Sequence, residues 1–205
     1  MGAENMTAGG VDTRRVGTVA IVGGAAFAFG ALGSMATEWA WVLMLVGLAS
    51  LIYVVPMVHR MEDHRDSWPG AMGAWLVPAG AGLVVALGIV AIVLDATGTM
   101  TEGSEPAWVE ALWMIGFFSF LVGTVLFCVG AMKAHFVTPI APLLMMVGLV
   151  ASVGIDMLTG AFFGEATTEY GLYIGVPIVG LGLAWMGYQL THPERLPGHH
   201  GVVAS

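Results

Sequence analysis

Basic residues are the scarcest class in this 205-residue chain, with six lysines and arginines in all. Phosphate backbones are held by clustered cations, so nucleic acid is not an expected partner. Lys133 is the single lysine. It falls in a short turn between apolar runs, which excludes a seven-helix retinal protein with its Schiff-base lysine deep in a late helix. Cysteine occurs once, at Cys128, which excludes an intramolecular disulfide and any metal cluster built from thiolates alone. Charged residues are only 10% of the chain, against roughly 25% in an average soluble domain. A soluble globular fold and a disordered chain both fall away. Nucleotide-binding P-loop, HExxH and GxSxG patterns are missing too, and the chain is read as leaning away from an enzyme.

What fills the space is apolar: 58% of residues are hydrophobic. A bilayer-spanning helix takes about 20 such residues. Six runs qualify, at about Val16–Ser34, Trp39–Val58, Ala71–Leu94, Ala107–Met132, Phe136–Leu158 and Tyr170–Leu190. The expected fold is therefore an all-α integral membrane protein. Residues 1–15 form a polar tail, 16–190 one six-helix transmembrane bundle, and 191–205 a second polar tail. Pro69-Gly70 reads as a break before the third span. The first span is read as an uncleaved helix, because its run is long for a signal core.

Basic residues, though few, set the sidedness. Arg14, Arg15, Arg60, Arg65, Lys133 and Arg195 all fall in the four segments that share a side in a six-span chain. The positive-inside rule puts that side, with both termini, in the cytoplasm, and the protein in the cytoplasmic membrane. The other side holds eight acids and no base: Glu38, Asp95, Glu102, Glu105, Glu110, Asp156, Glu165 and Glu169. The formal charge of −8 therefore belongs to one outer face.

Spans three and five resemble each other. Val77-Pro78 precedes Asp95 by the interval at which Thr138-Pro139 precedes Asp156, and the pattern reads as repeated helical hairpins. Small residues also recur in seams: Ala26, Gly30 and Ser34 on span one, Gly116, Gly123 and Gly130 on span four, Gly171 and Gly175 on span six. Such seams let helix backbones approach, and packing drives helix association in lipid. They would serve the intramolecular bundle, a homo-oligomer or a partner membrane subunit.

Three readings of function follow. The first is a non-catalytic accessory or assembly subunit acting through helix packing. The alternative is a small channel or transporter for cations or small solutes. Its candidates are Asp95, Glu110 and Asp156, since ionisable groups at membrane depth are costly and seldom idle. The third is a redox subunit using histidines at the cytoplasmic boundary: His59, His135, His192, His199 and His200. Facing histidines would hold haem b, and the tail histidines would suit a transition metal. No span carries a central histidine and no closed zinc spacing occurs, so no cofactor is predicted. Fourteen methionines are read as space-filling rather than as a copper path.

Overall fold

The computed structural model describes residues 7–8, 11–61, 68–97, 107–163 and 170–192. Six helices carry almost all of them: α1 Thr13–Ser34, α2 Trp41–Met61, α3 Trp68–Ala96, α4 Ala107–Ala134, α5 Ile140–Phe163 and α6 Tyr170–Thr191. Each is long and apolar enough to cross a membrane, and the chain is a multi-pass membrane protein. At about 1.5 Å of rise per residue, the 22 residues of α1 cover roughly 33 Å, close to the thickness of a hydrocarbon core.

Local chemistry sets the helix ends. Residues Thr7–Ala8 and Val11–Asp12 form a two-residue antiparallel ladder, β1 and β2, inside what the sequence suggested was only a polar tail. Asp12 then caps α1, its Oδ1 accepting from the Arg15 N–H at 3.1 Å. A single 3₁₀ turn, Glu38–Ala40, links α1 to α2 and is opened by the Thr37 hydroxyl. The expected break at Pro69-Gly70 is absent. Both residues lie in the first turn of α3, where a proline's missing N–H has no intrahelical partner to lose. Span five starts later than read. His135 takes a left-handed φ of 54° just past the end of α4, as chains leaving a helix commonly do. Residues 136–139 then turn before α5 begins.

Prolines 56, 78 and 177 stay inside continuous helices. Pro78 is therefore interior to α3, whereas Pro139 precedes α5, so these two prolines of the proposed repeat occupy unlike places.

The helices form a ring in sequence order, each packed on the next, with α6 closing back on α1. Neighbours are antiparallel: Gly30 of α1 faces Met44 of α2, while Gly23 faces Ser50. One end of the ring holds the start of α1 and is called here the near end; the other is the far end. Several backbone-close crossings are glycine on glycine. A Cβ on Gly17 would sit 2.7 Å from the Gly187 carbonyl oxygen, and one on Gly180 would sit 2.5 Å from that of Gly24. Gly148 of α5 meets Gly175 of α6 the same way, at 2.6 Å. The α4–α5 seam is the most loosely packed of the six.

Burial is lopsided along the bundle axis. The largest fully buried side chains include Phe127, Leu51, Met145, Leu183, Met186 and Val58. All lie at mid-depth or towards the near end. Large apolar side chains cover the outside of the ring, Trp75 most openly at 81% exposed. Such a surface suits acyl chains rather than water.

A candidate ligand cavity at the far end

The far half of the ring holds a cavity of about 520 Å³. All six helices contribute to its wall. Five aromatic rings lie around it: Phe27 from α1, Trp41 from α2, and Trp113, Phe117 and Phe120 from α4. Leu149, Leu172, Val176 and Val179 supply aliphatic wall from α5 and α6. Leu48, Phe120, Leu149 and Val179 mark its depth, near the middle of their helices. Below them the interior is filled by Leu51, Phe127, Met145 and Leu183. The cavity thus ends at mid-depth.

Among the described residues, two polar side chains reach this space, Ser152 and Asp156 of α5. The Ser152 hydroxyl donates to its own helix, to the Leu149 carbonyl at 2.8 Å, which leaves the wall there effectively apolar. Asp156 is different. It stands half-buried on the far part of α5, and its Oδ1 accepts from the backbone N–H of Gly171 at 2.7 Å. Gly171 is the second residue of α6, so its N–H has no partner within that helix. The carboxylate therefore caps a neighbouring helix and lies at the positive end of its dipole. Ser152 and Asp156 crowd Gly171 so closely that a Cβ there would fall 2.7 Å from Asp156 Oδ1. Glycine at this position is what lets the carboxylate reach the backbone. Among the described residues no lysine, arginine or histidine lines the cavity.

The sequence candidates separate accordingly. Asp156 lies at the cavity. Glu110 is exposed in the first turn of α4 and does not line it. Asp95 belongs to the last turn of α3, and its side chain lies outside the described set.

Several of the small residues picked as seams are spent inside the chain. Gly30 packs on Met44, Gly116 on Val84 and Leu83, and Gly123 on Leu76 and Val77. Gly171 and Gly175 pack on Ser152. Gly130 is buried, and Ala26 and Ser34 are half-buried, with the Ser34 hydroxyl bonded back to Ala31 O at 2.7 Å.

The described histidines, His59, His135 and His192, sit at the near end. His135 is exposed, its Nδ1 2.9 Å from the Lys133 carbonyl oxygen. His192 stacks on Tyr188 of its own helix at 4.4 Å between ring centres, with Nδ1 3.0 Å from Tyr188 O. His59 is half-buried at the end of α2. His199 and His200 lie outside the described residues. No group of three or more metal-ligating side chains occurs among the described residues.

Sequence reading missed two features. The aromatic wall was invisible because an indole at a span end reads equally well as an interfacial anchor. Gln189, 3% exposed, was passed over although it is the one amide within the six apolar runs. Its Oε1 accepts from the Thr138 N–H at 3.1 Å and its Nε2 donates to the Thr138 hydroxyl. That bracket ties α6 to the turn before α5. A lone amide in an apolar run was the available signal.

Comparison of the chain with family models, with curated proteins and with solved structures finds no match.

Proposed function

We propose that this chain is a binding protein of the carrier or transport class for a small membrane amphiphile. The ligand has an apolar body and a cationic or hydrogen-bond-donating head, and is held in the far-half cavity with its head at Asp156. The observation that carries this reading is a cavity of about 520 Å³ whose described wall is apolar and aromatic apart from Ser152, bonded back to its own helix, and the Asp156 carboxylate, with no described basic residue beside it. Its volume falls within the roughly 300–1,000 Å³ of small-molecule sites. The lining argues against a hydrated metal ion, which needs several oxygen ligands, and favours an organic cation. Trp41 and Trp113 present rings whose faces attract positive charge. This narrows the channel-or-transporter reading to an amphiphilic solute and to Asp156 among the three acids.

The distribution of basic residues supports a cytoplasmic near end, both termini inside, and a cavity that faces outward in the cytoplasmic membrane. The accessory-subunit reading rested on small-residue seams. With Gly30, Gly116, Gly123, Gly171 and Gly175 packed within the chain, no specific observation favours it. None favours the redox reading either.

The test is binding of dodecyltrimethylammonium, below its micellar concentration, to the protein in lipid nanodiscs, followed by calorimetry and tryptophan fluorescence. Saturable binding is expected, with dodecyl sulfate binding much more weakly. A hydrogen-bonded or paired charge contributes about 1.5–3 kcal/mol. Asp156→Asn should therefore weaken binding of the cation roughly 10- to 100-fold and leave dodecanol almost unaffected. Asparagine still accepts from Gly171, so α6 keeps its cap. Equal binding of cation and anion, or no saturable binding, overturns the proposal.

A further inference from the structure

The outside of the ring carries a second concavity, a groove of about 460 Å³ between α4 and α5. Leu121, Val122, Val125 and Leu126 form its α4 side. Leu149, Val150, Val153 and Gly154 form its α5 side. Among the described residues no charged or polar side chain takes part. These residues lie near the middle of both helices, at the depth where a bilayer offers only acyl chains. Val150 is 67% exposed on the outer rim, whereas Leu149 is buried. At Gly154 an added Cβ would meet nothing within 4 Å, so this stretch of α5 is not pressed against a neighbour.

Groove and cavity are contiguous. Leu149 and Val153 line both, so these two side chains stand between the lipid-facing groove and the cavity. The seams on either side of α6 are closed by backbone-close glycine crossings, at Gly17–Gly187, Gly24–Gly180 and Gly148–Gly175, and the α3–α4 seam by Gly73 and Gly80 on the backbone of Phe127 and Phe120. Among the glycines described, none makes such a crossing between α4 and α5, and that seam is the loosest of the six. A leucine and a valine change rotamer without breaking any hydrogen bond, and exposed or loosely packed side chains do so in nanoseconds.

We propose that the α4–α5 seam is a lateral portal from the bilayer into the cavity, with Leu149 and Val153 as its gate, and that the apolar tail of a membrane amphiphile occupies the groove while its head lies at Asp156. The inference rests on the amphiphile reading for its ligand, but the portal itself is read from the contiguity of two voids. Its occupant is an acyl-type chain because the groove is wholly apolar and lies at acyl depth. Such a ligand reaches the site from the lipid without crossing the far aqueous face.

The experiment uses the full chain in lipid nanodiscs and an apolar photoprobe, a trifluoromethyl-phenyl diazirine dissolved in the lipid, with labelled residues mapped by peptide mass spectrometry. Leu181, 60% exposed and outside both voids, should label in every variant. Val179 and Leu183 share α6 and are 1% and 0% exposed, but only Val179 lines the cavity. An open portal labels Val179 and spares Leu183. Gly154→Trp fills the groove without touching the cavity and should return Val179 to background. Val150→Trp plugs the same groove from its rim and serves if the first variant does not fold. Wild-type Val179 as silent as Leu183 overturns the portal. So does Val179 labelling that neither tryptophan reduces, because the probe then arrives by another route. The two readings fail separately. Portal labelling without dodecyltrimethylammonium binding removes the amphiphile reading alone, and binding without labelling removes the portal alone.

Discussion

At the scale of single residues, two polar side chains, Asp156 and Gln189, are spent on backbone N–H groups near the starts of neighbouring helices. Asp156 accepts the Gly171 N–H at the start of α6. Gln189 answers both the N–H and the hydroxyl of Thr138. In hydrocarbon such groups have no water to fall back on, although measured interhelical hydrogen bonds average only about 0.6 kcal/mol. The Gln189–Thr138 bracket contains two bonds and Gln189 is buried, so Gln189→Leu should lower unfolding stability by about 1–2 kcal/mol. A double-mutant cycle with Thr138→Val, read by denaturant titration in mixed micelles, should give a coupling of about 1 kcal/mol. A coupling of zero would mean that the bracket is not populated. Asp156 was legible as a candidate because an acid late in an apolar run is conspicuous. Its role as a cap for α6 was not, since the donor lies fifteen residues away on another helix.

At the scale of elements, helix positions were legible to within a few residues and helix pairings were not. The four-residue repeat Ala26, Gly30, Ser34 suggested one contact face on α1. The structure gives α1 two faces. Gly30 meets α2, while Gly17 and Gly24, seven apart, meet Gly187 and Gly180 of α6. A glycine's spacing says that some backbone comes close, but not which one. Two substitutions should therefore differ in sign. A Cβ at position 180 would lie 2.5 Å from the Gly24 carbonyl oxygen, and Gly180→Ala should cost about 1–3 kcal/mol through overpacking. Position 154 is open, so Gly154→Ala should gain up to about 1 kcal/mol from helix propensity. Both are read from unfolding titrations in the same micelles. Equal effects at the two sites would show that α1 and α6 are not in this register.

At the scale of the whole molecule, the decisive property is the difference between the two halves of the ring. The near half is filled by interlocking Val, Leu, Met and Phe side chains, and the far half holds the cavity. Whether the cavity opens to the outside depends on sidedness, and the basic residues predict that it does. In a Cys128→Ala background, Thr37→Cys at the far end should react with a membrane-impermeant maleimide added to intact cells. His135→Cys at the near end should react only after lysis. The reverse pattern would place the cavity on the cytoplasmic side.

The sequence by itself determined that six helices span a membrane. Span length and the need to satisfy every backbone group inside lipid are local properties, readable from one run of residues at a time. The tertiary structure alone decided how the ring closes, which glycines meet, and that Asp156 stands at a cavity while Glu110 does not. Those outcomes depend on shape rather than hydrophobicity. In lipid, Leu against Leu is no better than Leu against an acyl chain, so close fit between particular surfaces selects the partners.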